Sequence, residues 1–153
     1  MTALMQAAPA AAAGKVTGTV LGFDFGGKRI GVAVGELALR LAHPLPTIAT
    51  DDKAQRLAAI DVLVTEWRPQ RLVIGLPLAG DGSEHEMTRR CRRFSRQLEA
   101  RYRIPVQLID ERYSSASAQE RLRVQGVDLR HDKAAIDAAS AQIILQDYFD
   151  AAA

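Results

Sequence analysis

The sequence predicts an α/β fold in which a mixed β-sheet carries helices on both faces. Two apolar, β-branched runs flank Gly26-Gly27, which predicts two antiparallel strands joined by a tight turn near the centre of the sheet. The short apolar run at 71–76 is typical of a parallel strand that is covered on both faces. Helical patterns separate this run from the hairpin and from a further strand at 104–109, so helices and strands alternate as in an α/β sheet.

The composition limits the class of protein. At 153 residues the chain is long enough for one domain, expected at 15–150, and too short for two ordinary ones. Its 48% hydrophobic and 25% charged residues are typical of a soluble globular protein, and no apolar run approaches the roughly 18 residues that span a membrane. Positions 1–14 are alanine-rich, lack the features of a secretory signal, and are predicted to be a disordered tail. Cys91 is the only cysteine, which excludes an intramolecular disulfide and favours a cytoplasmic location.

The segment after the hairpin contains two prolines, which exclude a helix and favour an extended edge with a short third strand at 45–48. Asp51 or Asp52 is expected to cap a helix whose apolar residues recur at helical spacing and which ends at Arg68-Pro69. This helix is expected to pack one face on the sheet.

A second helix is predicted to open with the capping-box pattern Ser83-Glu84-His85-Glu86. Apolar residues step by three or four along one face of it, so the arginines between them are expected to point outward. These apolar residues are Met87, Cys91, Phe94, Leu98 and Tyr102.

This second helix is rich in arginine. From Glu84 to Arg103, seven arginines stand against three glutamates, a local charge of +4 that leaves −2 for the rest of the chain. One dominant sign is expected of a surface that contacts phosphates, although a solvated helix face is the plain alternative. Aromatic residues are few, which favours recognition of backbone and shape over base stacking. The candidate nucleic-acid contacts are Lys28, Arg29, Arg89, Arg92, Arg93, Arg96 and Arg112.

The last elements follow the strand at 104–109, which leads into an acidic tripeptide. A serine at 114 or 115 is expected to cap a helix that runs to about 125 and stops at Gly126. A final helix is predicted from about 132 to 150.

Three acidic positions are candidates for chemistry: Asp24, the pair Asp110-Glu111, and Asp137. The first two positions lie at predicted strand ends, and the third lies on a helix otherwise built of small apolar residues. Three carboxylates brought together would repel, and hard divalent cations such as Mg²⁺ or Mn²⁺ usually resolve this repulsion. Two such ions about 3.5–4 Å apart can activate a water and stabilise the leaving oxygen of a phosphodiester, which suits a nuclease.

Each acid also has a purely structural interpretation, and the residues alone do not decide between that and a catalytic role. Asp24 fits an ordinary Asx turn before the two glycines, with Lys28 and Arg29 solvating the hairpin tip. Asp137 fits a first-turn acid favoured by the helix dipole, and Glu111 fits an ion pair with a nearby arginine.

Four stretches of the sequence, taken together, resemble one protein family. They are LGFDFGGKRIGVAV at 21–34, IGLPL at 74–78 with DGSE at 81–84, DERYSS at 110–115, and IDAASA at 136–141. In this order they resemble the YqgF (RuvX) family, whose members are described as Holliday junction resolvases and as pre-16S rRNA processing nucleases. The resemblance implies an RNase H-like fold with the first strand central and the second antiparallel to it, and a nuclease activity that depends on a divalent metal.

The resemblance also suggests which acids matter. Asp24 matches the first-strand acid of the family, the tripeptide at 110–112 its acidic tripeptide, and Asp137 its last-helix acid. In many RNase H-like nucleases a second acid ends the fourth strand, where this chain has Gly75-Leu76-Pro77, so the acid is expected to reach from the fifth strand. Adjacent side chains on a strand point to opposite faces, so only one of the pair can readily meet Asp24. The longer Glu111 is favoured as the metal ligand, and Asp110 is expected to orient Arg112 or cap the next helix.

These observations favour a cytoplasmic, metal-dependent endonuclease that acts on structured nucleic acid, with maturation of the 5′ end of pre-16S rRNA as its role. Two alternatives remain: a Holliday junction resolvase acting on branched DNA, and a nucleic-acid-binding ribosome assembly factor that does not cleave. The sequence does not decide whether the substrate is RNA or DNA, or whether the protein is a monomer or a homodimer.

Overall fold

The structure, a computed structural model, describes residues 18–111, 120, 123, 126 and 132–151. Over these residues it contains five strands and three helices. They are β1 (Thr19–Phe25), β2 (Ile30–Glu36), β3 (Leu41–Ile48), α1 (Lys53–Trp67), β4 (Arg71–Leu76), α2 (Glu86–Tyr102), β5 (Val106–Asp110) and α3 (Lys133–Ala151). The predicted tail at 1–14, and nearly all of the helix predicted before Gly126, lie outside the described residues. None of the described helices is long and apolar enough to cross a membrane.

The strands form one mixed sheet in the order β3-β2-β1-β4-β5. β1 pairs antiparallel with β2, from Thr19 opposite Glu36 to Phe25 opposite Ile30. On its other side β1 pairs in parallel with β4, and β4 pairs in parallel with β5. The hairpin, the central first strand and the mixed sheet are therefore as predicted.

The core beneath α1 and α2 is built from alternate side chains of the sheet. Leu21, Phe23 and Ile74 are fully buried on this face, and Ile60 of α1 and Leu98 of α2 pack in the same cluster. Burying each such side chain contributes roughly 1.5–3 kcal/mol. The predicted apolar faces of these two helices are thus the faces that cover the sheet.

The opposite face of the sheet is covered by α3, which lies unusually close to the strands because glycines replace side chains beneath it. A Cβ atom at Gly31 would lie 2.0 Å from the carbonyl oxygen of Asp137, and one at Gly35 would lie 2.6 Å from the ring of Phe149. The absence of side chains on β2 therefore brings the helix backbone, and Asp137 with it, directly onto the strand.

Two predicted boundaries differ in the structure. β3 spans Leu41–Ile48 and so begins earlier than the predicted 45–48, since Leu41 already pairs with Glu36 across a short turn. Its prolines are tolerated because β3 is an edge strand, as expected. β5 spans Val106–Asp110, later than the predicted 104–109.

The capping box predicted for the second helix is wrong in register. α2 begins at Glu86 with His85 as its N-cap, and the His85 N–H donates to Thr88 Oγ1 at 3.2 Å. The Ser83 N–H instead donates to Asp81 Oδ1 at 2.9 Å, within the preceding loop. The local pattern was correct in kind, but a threonine three residues after His85 supplies the acceptor that Glu86 was expected to supply.

The predicted starts of the first and the last helix agree with the structure. Asp52 caps α1 by accepting from the Gln55 N–H at 2.9 Å, and Asp132 accepts from the Ala135 N–H at 3.0 Å before α3. Gly126 has a φ of 81°, a left-handed conformation that suits a glycine, whereas the helix predicted before it lies outside the described residues.

Candidate active site

Asp24 lies at the carboxyl end of the central strand, opposite Gly31 of β2. Two residues earlier, Gly22 faces α3, where a Cβ atom would meet Leu145 at 3.0 Å. Because side chains alternate along a strand, Asp24 points to the same face as Gly22. Burial, and then the charge of Asp137, raises the pKa of Asp24 to about 6. The structure therefore places a poorly solvated carboxylate at the end of a rigid strand.

Glu111 reaches this region from the end of β5, across the neighbouring strand β4. Its N–H donates to the Leu76 carbonyl at 3.2 Å, which anchors its backbone beside β4. A Cβ atom at Gly75 would lie 2.4 Å from Glu111 Oε2, so the carboxylate occupies the space that a side chain at this position would take. Burial, followed by the charges of Asp24 and Asp110, raises the pKa of Glu111 to about 7.

Gly75 is thus a residue whose contribution sequence reasoning did not recognise. It was interpreted as the place where an acid is absent, whereas the structure shows that its missing side chain gives Glu111 room. An isolated glycine within a buried apolar strand is the signal that could have indicated a close approach.

Asp137 lies in the second turn of α3, above Gly31. Its Oδ2 atom accepts from Nε of Arg29 at 2.5 Å, and the two side chains are 21% and 32% exposed. Arg29, predicted to contact nucleic acid, is therefore engaged with a candidate catalytic acid. Asp110 ends β5 opposite Leu76 and is exposed, and its expected partner Arg112 lies outside the described residues.

The three acids lie at the same end of the sheet, but their side chains do not form a complete metal-binding site. Within the described part of the chain, no three His, Cys, Asp or Glu side chains are placed to hold a metal ion between them. Asp24 is nevertheless coupled electrostatically to both Glu111 and Asp137, and both raised pKa values report repulsion between carboxylates in a poorly solvated place. A donor set of carboxylate oxygens under mutual repulsion fits a hard divalent cation such as Mg²⁺ or Mn²⁺.

Comparison with known proteins identifies the family. The family model described as "RuvX: Holliday junction resolvase" matches residues 18–151. The chain belongs to the RuvX family. This confirms the resemblance carried by the four stretches of sequence.

Relatives within the RuvX family are similar over most of their length. A protein of Methylobacillus flagellatus is 53% identical over 133 residues, covering 87% of this chain and 91% of the relative. One from Thiobacillus denitrificans is 53% identical over 134 residues, covering 88% and 92%. Each is named, provisionally, as a pre-16S rRNA nuclease.

Solved structures confirm the fold. Thermus thermophilus RuvC superimposes with a TM-score of 0.54 at 15% identity, covering 88% of this chain and 95% of RuvC. The fowlpox virus resolvase in complex with Holliday junction DNA gives a TM-score of 0.57 at 11% identity, covering 88% and 98%. At such identities the likeness concerns the fold alone, which is the RNase H-like fold expected of the RuvX family.

The arginines predicted to contact nucleic acid divide into two groups. Arg92 pairs with Glu84 at 2.6 Å and Arg89 with Glu86 at 3.4 Å, so their charges are partly compensated on the surface. Arg93 and Arg96 are exposed and take part in no ion pair between described residues, and Lys28 is exposed at the hairpin turn. Among the predicted contacts on α2, Arg93 and Arg96 are therefore the two whose charge no described acid pairs with.

Sequence reasoning missed Arg56, which is buried although it lies on α1. Its guanidinium donates to the carbonyl oxygens of Thr50 at 2.6 Å, Gly26 at 2.8 Å and Gly27 at 3.1 Å. Arg56 therefore holds the turn that begins two residues after Asp24. No local pattern distinguishes it from a surface arginine, because its partners lie on other elements.

Proposed function

We propose that the protein is a Mg²⁺- or Mn²⁺-dependent endonuclease that hydrolyses phosphodiester bonds in structured nucleic acid, and that it matures the 5′ end of pre-16S rRNA. The observation that carries this proposal is the convergence of Asp24, Glu111 and Asp137 at one end of the sheet, with the Glu111 carboxylate over Gly75. Family membership and the names of the relatives support the same activity.

The chain's own residues have distinct roles in this proposal. The bound cation would supply a Lewis acid for the phosphate and an activated water. Asp24 would hold it from the most rigid position, the end of the central strand, and Glu111 and Asp137 would hold it from either side. Asp110 would act from outside this set, as the exposed neighbour that adds negative charge beside Glu111. Arg29 would leave Asp137 as the cation binds, because both compete for the same carboxylate.

The basic residues support the choice of substrate class. Arg93 and Arg96 on α2, and Lys28 at the hairpin turn, would contact phosphates of a folded nucleic acid while the acids reach one phosphodiester. Arg89 and Arg92 would join them by exchanging their glutamate partners for phosphates, and Arg112 would contribute beside the acids. The role in rRNA maturation implies that the protein acts in the cytoplasm.

A second candidate is resolution of Holliday junctions in branched DNA, because the family model carries that description. Paired incisions need two active sites, so this activity requires a homodimer, whereas rRNA processing is compatible with a monomer. Measuring the molar mass in solution with and without substrate separates the two states.

The deciding experiment offers the protein a 5′-extended 16S rRNA precursor and a four-way DNA junction in parallel, with Mg²⁺ or with EDTA. We expect metal-dependent cleavage of the precursor at a defined position, and no cleavage by Asp24→Asn, which keeps the size of the side chain. Cleavage of the junction alone would favour the resolvase. Tight binding of the precursor without cleavage by the wild-type protein would overturn the proposal in favour of an assembly factor.

A further inference from the structure

A cleft of about 200 Å³ lies between α1 and α2, on the face of the sheet opposite Asp24. Its lining includes four cationic side chains, Lys53, Arg56, Arg90 and Arg93, and one acidic side chain, Asp51. The volume corresponds to several water molecules, at about 30 Å³ for each in the liquid, so it admits a tetrahedral oxyanion with part of its hydration.

The two guanidinium groups at the bottom of the cleft converge on one aromatic ring. Arg56 lies 5.3 Å and Arg90 lies 5.6 Å from the ring centroid of Phe25. Phe94 approaches the same ring with a centroid distance of 4.6 Å. Since three neighbours already pack against Phe25, little of the ring remains for a stacked base. The groups that the cleft offers to a ligand are therefore the N–H edges of the guanidinium groups.

The positive charge of the cleft is only partly compensated, because one acid, Asp51, lies among four cationic side chains. Burial and then the charge of Arg90 lower the pKa of Arg56, against a smaller opposing effect of Asp51, as expected for two like charges near each other at a buried position. The guanidinium of Arg56 donates to backbone carbonyl oxygens. Lys53, Arg90 and Arg93 form no ion pair with any residue in the described part of the chain. Lys53 is the first residue of α1 and directly follows the N-cap Asp52, whose carboxylate accepts from the Gln55 N–H.

We propose that this cleft is a phosphate-binding site for the nucleic-acid backbone, with Arg90, Arg93 and Lys53 as its ligands and Arg56 as the residue that positions the hairpin turn. A planar guanidinium held against a ring keeps its N–H edge available, and that edge matches the oxygens of a phosphate. A single anion in the cleft offsets the repulsion among the cations.

The position of the cleft determines which phosphate it holds. Phe25 directly follows Asp24, and their side chains point to opposite faces of β1. The Arg90 guanidinium lies 3.6 Å from where a Cβ atom of Gly27 would be, so it contacts the turn between the two faces. A strand whose phosphodiester lies at the acids would therefore pass over the hairpin turn and place a neighbouring phosphate in the cleft. This assignment rests on the proposed nuclease function, whereas the binding of a phosphate in the cleft does not.

The test measures binding in metal-free buffer, in an Asp24→Asn background, so that cleavage has no part in it. The probe is a duplex oligonucleotide with a single-stranded extension, and the variants are Arg90→Gln and Arg93→Gln. Arg103→Gln is the matched control, because it makes the same charge change on the exposed C-cap of α2. It lies about 20 Å from Arg90 along the helix axis. We expect each cleft variant to bind about tenfold more weakly and to lower the salt dependence of log K by about one unit, and we expect the control to match the parent.

Chemically modified probes identify which phosphate of the nucleic acid the cleft binds. Replacing one linkage at a time by a neutral methylphosphonate should weaken binding at one position for the parent, with no further loss there for Arg90→Gln. If the cleft holds a terminal phosphate instead, removing the 5′-phosphate of the probe should produce that non-additive loss. Affinities of both cleft variants equal to that of Arg103→Gln, or losses that add at every linkage and at the end, would overturn the proposal. If the non-additive loss is found but the wild-type protein, assayed separately with Mg²⁺, cleaves no substrate, the nuclease function is refuted and the phosphate site stands.

Discussion

Replacing Gly75 by alanine should remove metal binding while leaving the fold in place. The added Cβ atom would lie 2.4 Å from Glu111 Oε2 and 2.5 Å from Ile144 Cδ1. Non-bonded heavy atoms prefer about 3.5 Å or more, so the carboxylate has to retreat by roughly 1 Å. Metal ligands tolerate displacements of only about 0.2 Å, so this retreat is enough to lose the cation. Both displaced groups are ends of flexible side chains, so we expect the overpacking to cost about 1–3 kcal/mol.

The assay is thermal unfolding with and without Mg²⁺. For the wild-type protein, Mg²⁺ at about ten times its dissociation constant should stabilise the fold by about 1.4 kcal/mol, a rise of several degrees in Tm. Gly75→Ala should unfold at a lower temperature and show no rise with Mg²⁺. Adding Ile144→Val removes the clash with Cδ1, so the double variant should regain stability without regaining the response to Mg²⁺.

The matched control is Gly22→Ala, which also adds a methyl group beneath α3 but meets Leu145 at 3.0 Å, away from Glu111. It should lose stability and keep the response to Mg²⁺. A wild-type response to Mg²⁺ in Gly75→Ala, or a lost response in Gly22→Ala as well, would show that the space at Gly75 does not control metal binding.

Three further predictions follow from the same geometry. Burial raises the pKa of Glu111 to about 7, so its contribution to the stability of the metal-free protein is present below about pH 4.5 and lost as the pH rises to about 7. Glu111→Gln should therefore gain Tm relative to the wild-type protein between about pH 5 and pH 8, and a constant difference would contradict the assigned burial. Gly31→Ala forces a Cβ atom to within 2.0 Å of the Asp137 carbonyl, where only backbone can yield, so unfolding in urea should show a loss of about 3 kcal/mol or more; a loss below about 1 kcal/mol would mean that α3 is easily moved. Arg29→Ala removes the cation that pairs with Asp137 at 2.5 Å, so calorimetry should show about tenfold tighter Mg²⁺ binding, and weaker binding would show that Arg29 supports the metal site.

Much of the fold was predictable because it depends on local periodicity. The hairpin around Gly26-Gly27, the edge strand with two prolines and the cap at Asp52 are each specified by residues only a few positions apart. Where two local capping signals compete, as at the start of α2, the observed helix boundary differs from the predicted one. Thr88 serves as the acceptor at the start of α2 that Glu86 was expected to provide, since both residues lie within one turn of the cap and only the packed loop selects between them.

The identity of the candidate acids was also open to sequence reasoning, and their roles remain predictions. A charged residue at the end of an apolar strand, or within an alanine-rich helix, is costly enough to be conspicuous, which is why Asp24 and Asp137 could be selected. The preference for Glu111 over Asp110 followed from side-chain length, and the structure places the Glu111 carboxylate across β4 while Asp110 is exposed.

Signals between neighbouring residues were enough to predict the elements and the alternation of faces on β1, and an ordered set of motifs was enough to predict the family. Three contacts became known only from the folded chain: Gly75 makes room for Glu111, Arg29 meets Asp137 from 108 positions away, and Arg56 and Arg90 share the ring of Phe25. Such contacts depend on strand order and on how closely a helix approaches the sheet. How closely two groups approach is determined by the glycines between them, which lack side chains, as much as by the two groups themselves.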